Sequence, residues 1–446
     1  MTSVKMKLTF LTILTLSLLL NCCVTYQSRP ITAEKTSADF AGRSLNDAGL
    51  RSFLAEQKAA SGSWSVDRLS LAAVYFHPDL ALARAEAEEA AAGIKTAQMR
   101  PNPVFTFSPQ YASFRAPVPT PWFFGPSLSI PIETAGKRSK RTEQALATAE
   151  AARWRVSSRA WAARSRVRAA MLEFHSAREN IRLLETEQNL HDEAIKKLTA
   201  QMDAGDVSPF ELTQARLMLN RTRLALQDAQ RLAATGEAKL AAAIGIPLHA
   251  LKTAKLDFSS FHRLPSPGSS RRRALTQRAD LMALLAEYAA TESALKLELA
   301  KQYPDVNIGP GYDYNSGQNR WQLGINLPIP LNQNRGPIAQ AEAKRLTAEK
   351  KFLAQQATIQ GELDIALAAY TASRAKAATA AQLAQDAIAA ADTTKRMVDA
   401  GEVSALELTR RQIETSTANV ALLAAQLEAQ TAAGALEDAM QATLKP

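Results

Sequence analysis

A fifteen-residue segment occurs twice in this chain, first as MDAGDVSPFELTQAR at residues 202–216 and again as VDAGEVSALELTRRQ at residues 398–412. The residues shared by the two copies stay in register at a spacing of 196 positions. A long, fixed spacing between similar segments indicates an internal structural repeat. The 446 residues are therefore predicted to contain two copies of one unit of roughly 200 residues.

Each copy of the segment follows a long stretch of residues that favour helix. No glycine or proline occurs over residues 137–204, and Gly361 is the only one over residues 338–400. Stretches of 68 and 63 residues correspond to helices of roughly 100 Å at the rise of an α-helix. The Asp-Ala-Gly sequence then predicts a helix C-cap and a turn, after which shorter helices return over 208–244 and 404–438.

Two regions of alternating side chains precede the long helices, one over residues 104–132 and one over residues 305–330. In the second region, apolar and aromatic residues alternate with glycine, asparagine and glutamine on both sides of a turn at Asn315. Such alternation is typical of strands that have one apolar and one polar face. Each region therefore predicts a β-hairpin.

The predicted organisation has five parts, and each repeat runs from a helix through a hairpin and a long helix to a returning helix. The parts are a lipoprotein-type signal peptide (1–22), an extended N-terminal lead-in (23–65), repeat 1 (66–245), a linker (246–271) and repeat 2 (272–440). The helices before the hairpins, over about 66–100 and 272–301, are half as long as the long helices. Each is expected to stack end to end on the returning helix of its repeat.

The first residues have the features of an exported lipoprotein. Lys5 and Lys7 precede an apolar core at residues 8–20, which is too short to span a membrane as a helix. Cys22 and Cys23 follow and are the only cysteines, so the body of the chain has no disulfide and no thiolate metal site. We expect Cys22 or Cys23 to carry a lipid anchor; an ordinary signal peptide with incidental cysteines is the alternative.

Composition argues against several other classes of function. The net charge of +10 is compatible with nucleic-acid binding, but the basic residues are interspersed with acidic ones along helices. The five histidines have no metal-ligand spacing, and no phosphate-binding loop, dinucleotide fingerprint or nucleophile arrangement is found. We therefore predict no enzymatic activity, no cofactor, no metal centre and no nucleic-acid partner.

Four amphipathic strands of membrane-spanning length do not close a channel on their own. In lipid every sheet edge has to be paired, so only closed barrels span membranes as sheets. If three chains pool their strands, a barrel of twelve results, which lies in the range of outer-membrane barrels. The aromatic face is expected to contact lipid, and the face of asparagine, serine and glycine is expected to line a wet lumen.

Specific segments at the starts of the helices resemble those of a known family. The resemblance to TolC-like outer membrane factors, and within them to the heavy-metal, CzcC-like branch, is carried by SLSIPIETAGKRSKR at 127–141 and INLPIPLNQNRGPIAQAEA at 325–343. Helix openings of the same branch are similar to HPDL at 77–80 and RADL at 278–281. Proline is usual in the family where this chain has Ala279.

The resemblance implies a mainly α fold with a small β part. Long helical hairpins would form a periplasmic tunnel, and two β-hairpins per chain would give four strands to the twelve-stranded outer-membrane barrel of a homotrimer. The chain would be the exit duct of a tripartite efflux pump for heavy-metal cations. Its partners would be a periplasmic adaptor (membrane fusion) protein, an RND-type inner-membrane pump and the lipid of a Gram-negative outer membrane.

Other functions remain open at this point. The alternative substrates of the duct are drugs and other organic compounds, or the polypeptides of an ATP-driven type I secretion system. A trimeric coiled-coil adhesin without a channel is a third class, against which the reversing helices argue.

The repeated Asp-Ala-Gly turns are the expected periplasmic tips of the duct. The candidate gate and adaptor-docking residues are Asp203, Gly205, Asp206, Asp399, Gly401 and Glu402. In a trimer, the four acids of each chain would place twelve carboxylates near one aperture, and such a ring attracts cations. The alternative is that these acids only cap and solvate the turns.

Overall fold

The computed structural model describes residues 24–59, 62–111, 113, 120–266, 271–315 and 317–444. The predicted signal peptide, with the candidate anchors Cys22 and Cys23, lies outside these residues. Residues up to Arg43 form a unit of their own, in which helix α1 (Ala33–Ala41) is capped by the Thr32 hydroxyl. All other elements belong to a second unit that begins at Ser44.

In its described residues, the second unit contains ten α-helices and four strands. The helices are α2 (Ala48–Glu56), α3 (Val66–Phe76), α4 (Pro78–Gln98), α5 (Lys137–Asp203), α6 (Pro209–Ile244), α7 (Leu248–Leu251), α8 (Arg271–Gln277), α9 (Ala279–Ala300), α10 (Arg335–Asp399) and α11 (Ala405–Met440). The strands are β1 (Val104–Tyr111), β2 (Trp122–Ile132), β3 (Val306–Asn315) and β4 (Gln318–Asn326). This order confirms the predicted fold class, a mainly α chain with a small β part and an internal two-fold repeat.

Two parts of the chain differ from what the sequence pattern predicts. The lead-in, which is predicted to be extended, instead forms the short helices α1 and α2. The single helix predicted before each hairpin is instead two helices. In repeat 1 the break falls at His77, because the following Pro78 has no N–H and disfavours helical backbone in the residue before it.

The break in repeat 2 has no proline. Arg278 stands between α8 and α9 in extended backbone, and its guanidinium is buried. It donates to the carboxylate of Asp280 at 2.7 Å and to the carbonyl oxygen of Ala439 at 2.9 Å. These contacts stabilise a helix break at the RADL segment, where no proline or glycine interrupts the helix.

The strands form one antiparallel sheet in the order β1-β2-β3-β4. Directly opposed residues include the pairs Phe105 with Leu128, Ile130 with Ile308 and Tyr312 with Trp321. Through this register nearly all apolar residues of the four strands share one face, as the alternation predicts; Val104 and Phe123 lie on the other face. The opposite face carries glycine, serine, asparagine and glutamine. Within the described residues β1 and β4 each have one partner strand, so both are free edges.

Aromatic rings are paired across each strand boundary on the apolar face. The pairs and their centroid distances are Tyr111 with Trp122 at 5.1 Å, Phe124 with Tyr314 at 4.8 Å and Tyr312 with Trp321 at 5.0 Å. All lie towards the hairpin turns, at the end of the sheet away from the long helices. Bands of aromatic residues are typical of the membrane–water interface.

The long helix α5 is the element on which both repeats pack. It contacts α4 and α6 of its own repeat and α9 and α11 of the second repeat. Among the described helices, α10 packs extensively only on α8, α9 and α11, which all belong to the second repeat. One side of α10 and one side of α6 are therefore left exposed.

A polar clamp joins the start of α5 to the start of β3. Lys137 is 7% exposed, and its ammonium donates to the carbonyl oxygen of Tyr303 at 2.6 Å and to the Asp305 carboxylate at 2.7 Å. The N–H of Thr134 donates to the same carboxylate at 2.9 Å. Because the Lys137 side chain is buried, removing the Asp305 carboxylate leaves its ammonium charge without compensation, so the clamp fixes one hairpin beside the other.

The largest apolar cluster surrounds the middle of α5. The part of the lead-in that follows Ser44, the linker and the end of α6 meet there. The linker contains α7 and a 3₁₀ helix at Ser259–Phe261, and its Leu256 forms an isolated β-bridge with Trp64 of the lead-in. The described part of the linker, residues 246–266, thus contributes to the core.

Buried charges tie the end of α11 to the same part of α5. Arg164 and Arg168 contact the carboxylate of Glu437 at 3.1 and 3.4 Å. Burial raises the pKa of Asp438, although its carboxylate accepts hydrogen bonds from Trp161 and from Ser165. These contacts place the last turn of the second repeat on the first repeat.

The contact between β2 and β3 requires a residue without a side chain at position 309. A β-carbon on Gly309 would overlap the carbonyl group of Leu128 on the neighbouring strand. Directly opposite on β4, a β-carbon on Gly324 would have no atom nearer than 3.6 Å, which is an ordinary contact. The two paired glycines therefore differ in the space around them.

We predict that Gly309→Ala destabilises the sheet by about 1–3 kcal/mol, because the added methyl group forces two backbones apart. Gly324→Ala is the matched control and is expected to change stability by less than about 1 kcal/mol. Thermal unfolding of the purified protein in detergent measures both. Equal melting temperatures for the two variants would contradict a steric requirement at Gly309.

Candidate functional site at the helix tips

The first tip turn closes with a pair of backbone hydrogen bonds. Helix α5 ends at Asp203. The N–H of Gly205 donates to the carbonyl oxygen of Met202 at 3.0 Å, and the next N–H, of Asp206, reaches back to Gln201 at 2.9 Å. This pair is the Schellman motif, which needs a left-handed residue, and Gly205 provides it with a φ of 84°.

The second tip turn has the same geometry. The N–H groups of Gly401 and Glu402 donate to the carbonyl oxygens of Val398 and Met397, both at 2.9 Å. Gly401 has a φ of 78°. The repeated sequence is therefore repeated backbone structure, and its glycines are explained by the positive φ that the turn requires.

The residues after the turns differ between the copies. Ser404 caps α11, since its hydroxyl accepts the N–H of Glu407 at 3.3 Å. Ser208 holds the same position before α6 but makes no side-chain cap hydrogen bond. Phe210, two residues further on, is 73% exposed, whereas its counterpart Leu406 is 7% exposed. The second tip is thus packed more fully than the first within one chain.

The two tips of one chain are held together. Leu198 of α5, Leu212 of α6 and Leu406 of α11 belong to one buried cluster. This cluster brings the ends of both helical hairpins to one place, although the two turns lie about 200 residues apart in sequence.

Polar contacts reinforce this link between the tips. The ammonium group of Lys197 donates to the carbonyl oxygen of Ala405 at 3.1 Å and to the hydroxyl of Thr409 at 2.8 Å. Arg410 of α11 pairs with Glu211 of α6 at 3.4 Å. The arginine pair is about half exposed on both sides and so contributes little. Thr409 is 1% exposed and the Lys197 side chain 30% exposed, so their hydrogen bond is partly shielded from water.

The predicted tip carboxylates point to solvent. They are Asp203, Asp206, Asp399 and Glu402, and none makes an ion pair or side-chain hydrogen bond with the residues that the structure describes. Basic side chains lie nearby on α5, α10 and α11. They are Lys196, Lys197, Lys395, Arg396, Arg410 and Arg411. The turns themselves are acidic, but the tip region as a whole is mixed in charge.

The structure brings together two histidines that the sequence separates. The rings of His175 on α5 and His262 in the linker lie 6.1 Å apart, and His175 stacks on Phe258 at 4.7 Å. Burial lowers the pKa of His175, which favours the neutral imidazole. No sequence signal indicates this contact, because it depends on the linker folding back on α5.

Two other kinds of feature are absent from the described residues. No group of three or more His, Cys, Asp or Glu side chains is arranged to hold a metal ion within the part of the chain that the structure describes. None of the helices in that part combines the length and the apolar character that a membrane span requires.

An amphipathic sheet joined to two long helical hairpins with exposed tips defines the class of outer-membrane channel proteins. The chain belongs to the outer membrane efflux protein family, whose model matches residues 72–246 and 271–441, one segment for each repeat. Proteins of this family are transport channels of the Gram-negative outer membrane that extend into the periplasm. The expected class, a channel and not an enzyme, and the expected location are therefore confirmed.

Individual relatives agree with this family. The cobalt-zinc-cadmium resistance protein CzcC of Cupriavidus metallidurans is 26% identical over 262 residues, which are 57% of this chain and 62% of that protein. The chain thus matches less than two thirds of the length of this relative. The resemblance to TolC-like and CzcC-like proteins is confirmed at this level.

Solved structures share the fold. The outer membrane protein VceC of Vibrio cholerae has a TM-score of 0.69 at 17% identity, over 85% of this chain and 96% of that chain. The outer membrane channel CmeC of Campylobacter jejuni has a TM-score of 0.68 at 16% identity, over 95% of this chain and 94% of that chain.

Neutralising the four tip acids, by the changes Asp203→Asn, Asp206→Asn, Asp399→Asn and Glu402→Gln, is expected to lower the preference of the channel for cations over anions. The physical reason is that fixed charges in the turns raise the local concentration of counter-ions. We expect a change of roughly twofold to threefold in the permeability ratio. Reversal potentials of single channels in planar bilayers under a salt gradient measure it.

The matched control removes exposed acids that lie away from the tips. Glu86, Glu88 and Glu89 on α4 are exposed, and their replacement by glutamine is expected to leave the permeability ratio unchanged. The same current and selectivity in the tip variant and in the unaltered protein would rule out a role for the tip acids in ion selection.

Proposed function

We propose that three copies of this chain form the exit duct of a tripartite efflux pump. The observation that carries the proposal is the amphipathic sheet with two free edges, β1 and β4. A sheet whose apolar face meets lipid has to pair its edges, because no water reaches them there. Pairing β4 of one copy with β1 of the next closes a barrel, and three copies supply twelve strands.

Exposed apolar residues on the helices support the same assembly. Several of them recur at spacings of seven residues or multiples of seven, at Phe210, Leu217 and Leu224 on α6 and at Leu346, Leu353, Leu367 and Ile388 on α10. Leu232, Ile365, Leu383 and Met397 are exposed on the same helices outside this spacing. Stripes with this spacing are typical of seams between long helices, and exposed stripes indicate a missing partner. In the proposed trimer, neighbouring copies cover them and the helices form the wall of a periplasmic tunnel.

Heavy-metal cations are the proposed substrate. The support is the similarity to a protein named for cobalt, zinc and cadmium resistance, together with the helix-start segments at 127–141 and 325–343. Export of drugs and other organic compounds, or of polypeptides in a type I system, are the alternatives that the experiment below distinguishes.

The tips are the proposed contact with the rest of the pump. Gly205 and Gly401 fix two turns that project mixed charge and the exposed ring of Phe210 into solvent. A periplasmic adaptor protein would dock there and open the entrance, coupled to an inner-membrane pump of the RND type. The acids that start each turn, Asp203 and Asp399, would stand at the aperture.

The lipid anchor at Cys22 or Cys23 is also proposed. Intact mass spectrometry of protein purified from membranes is expected to show a chain that starts at one of these cysteines and carries diacylglycerol and a further acyl chain. A mass that corresponds to an unmodified N-terminus would exclude the anchor.

Deleting the gene tests the cargo. We expect the deletion strain to become sensitive to cobalt, zinc and cadmium salts by roughly tenfold in inhibitory concentration, while its tolerance of antibiotics and its profile of secreted proteins stay unchanged. The expectation follows because a pump without its exit duct leaves its substrate in the cell envelope. Complementation with the unaltered gene is the control.

Two outcomes would change the proposal. Sensitivity to antibiotics alone would move the substrate to organic compounds, and loss of one secreted polypeptide would indicate type I secretion. A purified protein that is monomeric by light scattering and gives no current in bilayers would contradict the duct itself.

A further inference from the structure

One chain already contains a contact between its two repeats, in which α11 of repeat 2 packs on α5 of repeat 1. Leu406, Thr409 and Ser416 on α11 are 7, 1 and 5% exposed. Thr409 accepts a hydrogen bond from Lys197 at 2.8 Å, and Ser416 donates to the carbonyl oxygen of Leu183 at 3.4 Å. We call this contact the intrachain seam.

Helix α6 holds in repeat 1 the place that α11 holds in repeat 2. At the repeat spacing of 196, the three α11 residues of the intrachain seam correspond to Phe210, Thr213 and Asn220 on α6. All three are exposed, and Phe210 is 73% exposed. The side of α6 that corresponds to the packed side of α11 is therefore free.

The long helix α10 shows the matching free side. The α5 residues Leu183 and Lys197 correspond to Thr379 and Thr393 on α10, and both threonines are exposed. Because α11 lies between α5 and α10, the helices at the tips run in the order α6, α5, α11, α10. The outer helices of this row, α6 and α10, carry the two free sides.

From this arrangement we infer that α6 of one copy packs on α10 of the next in the register of the intrachain seam, and that this interchain seam is the weaker of the two. The inference rests on the proposed trimer. It goes further by assigning the position at which the closed ring of helices separates when the entrance opens.

The first difference between the seams is a lysine. Lys197 reaches across the intrachain seam to Ala405 and Thr409. In the interchain seam its counterpart is Thr393, whose short side chain does not span that distance and instead donates to the carbonyl oxygen of Ala389 in its own helix. A partly shielded, charge-assisted hydrogen bond is thus absent from each interchain seam.

The second difference concerns the neighbouring positions. Within a chain, Arg410 forms an ion pair with Glu211. At the repeat spacing, the counterpart of Arg410 is Gln214 and that of Glu211 is Glu407, so the interchain seam lacks the positive charge of this pair. Leu190 is partly buried and lies seven residues from both Leu183 and Lys197 on α5, which places it on the same side of the helix; its counterpart is Asp386, an exposed carboxylate. A carboxylate in place of a leucine removes apolar contact and has to be desolvated if it is covered.

These differences act in the same direction. The two tips of one chain stay joined through the intrachain seam, and each chain moves as one pair of tips. The three interchain seams separate first, because a closed ring opens at its weakest contacts. The entrance would widen between chains and not within them.

Cysteine pairs at equivalent positions test the inference. Thr213→Cys with Thr393→Cys spans the interchain seam, and Thr409→Cys with Lys197→Cys spans the intrachain seam as the matched variant. Each purified protein is treated with a bifunctional methanethiosulfonate cross-linker, which a reductant cleaves. Denaturing gels report whether chains are joined, and planar bilayers report the open probability of single channels.

We expect the interchain pair to yield covalent trimers and to lose open probability by roughly fivefold or more, with recovery after reduction. The intrachain pair is expected to yield cross-linked monomers whose open probability equals that of the same variant before cross-linking. The unaltered protein, given the same cross-linker, controls for reaction at Cys22 or Cys23.

Three outcomes would overturn the inference. If light scattering shows a trimer but the cross-linker joins no chains between positions 213 and 393, the proposed register of α6 on α10 is wrong. Closure by the intrachain link alone would place the opening inside each chain. If light scattering shows a monomer, there is no trimer, and this result contradicts the proposed function as well as the inference.

Discussion

The pairing of strand edges in lipid is the constraint on which the rest of the molecule depends. Each repeat supplies one hairpin, and the β2–β3 pairing joins the two hairpins within the chain. This pairing satisfies two of the four strand edges and leaves β1 and β4 open. Because an open edge in hydrocarbon leaves backbone N–H and C=O groups unpaired, the sheet of one chain is incomplete, and closure has to come from further copies.

The helices follow the same rule as the strands. Helix α5 is covered by helices of both repeats, as β2 and β3 are each paired on both sides, whereas α6 and α10 are covered on one side only. The clamp of Lys137 on Asp305 links the two layers, since it ties the first turn of α5 to the strand that continues the sheet. Sheet and helices therefore leave equivalent surfaces open, and one ring of copies completes both.

Sequence periodicity predicts the elements of this fold and much less of their contacts. Alternation in the hairpins and the absence of helix breakers over 137–204 are local signals, so strands and long helices are predictable. The break at Arg278 depends on a buried guanidinium that binds Ala439, 161 residues away, and the contact of His175 with His262 depends on how the linker folds. Such contacts are set by tertiary packing, which single-residue propensities do not contain.

The tip turns show what each copy of the repeat has kept. Both turns keep glycine because the Schellman motif demands positive φ, a local requirement that is the same in both repeats. The side chains around the turns have no such shared requirement, since the second tip packs on its own chain and the first meets a neighbour in the proposed trimer. Lys197 and Thr393 are equivalent in sequence but not in surroundings. In the proposed trimer, joining two repeats in one chain turns six similar tips into three pairs, so contacts within and between chains are free to differ in strength.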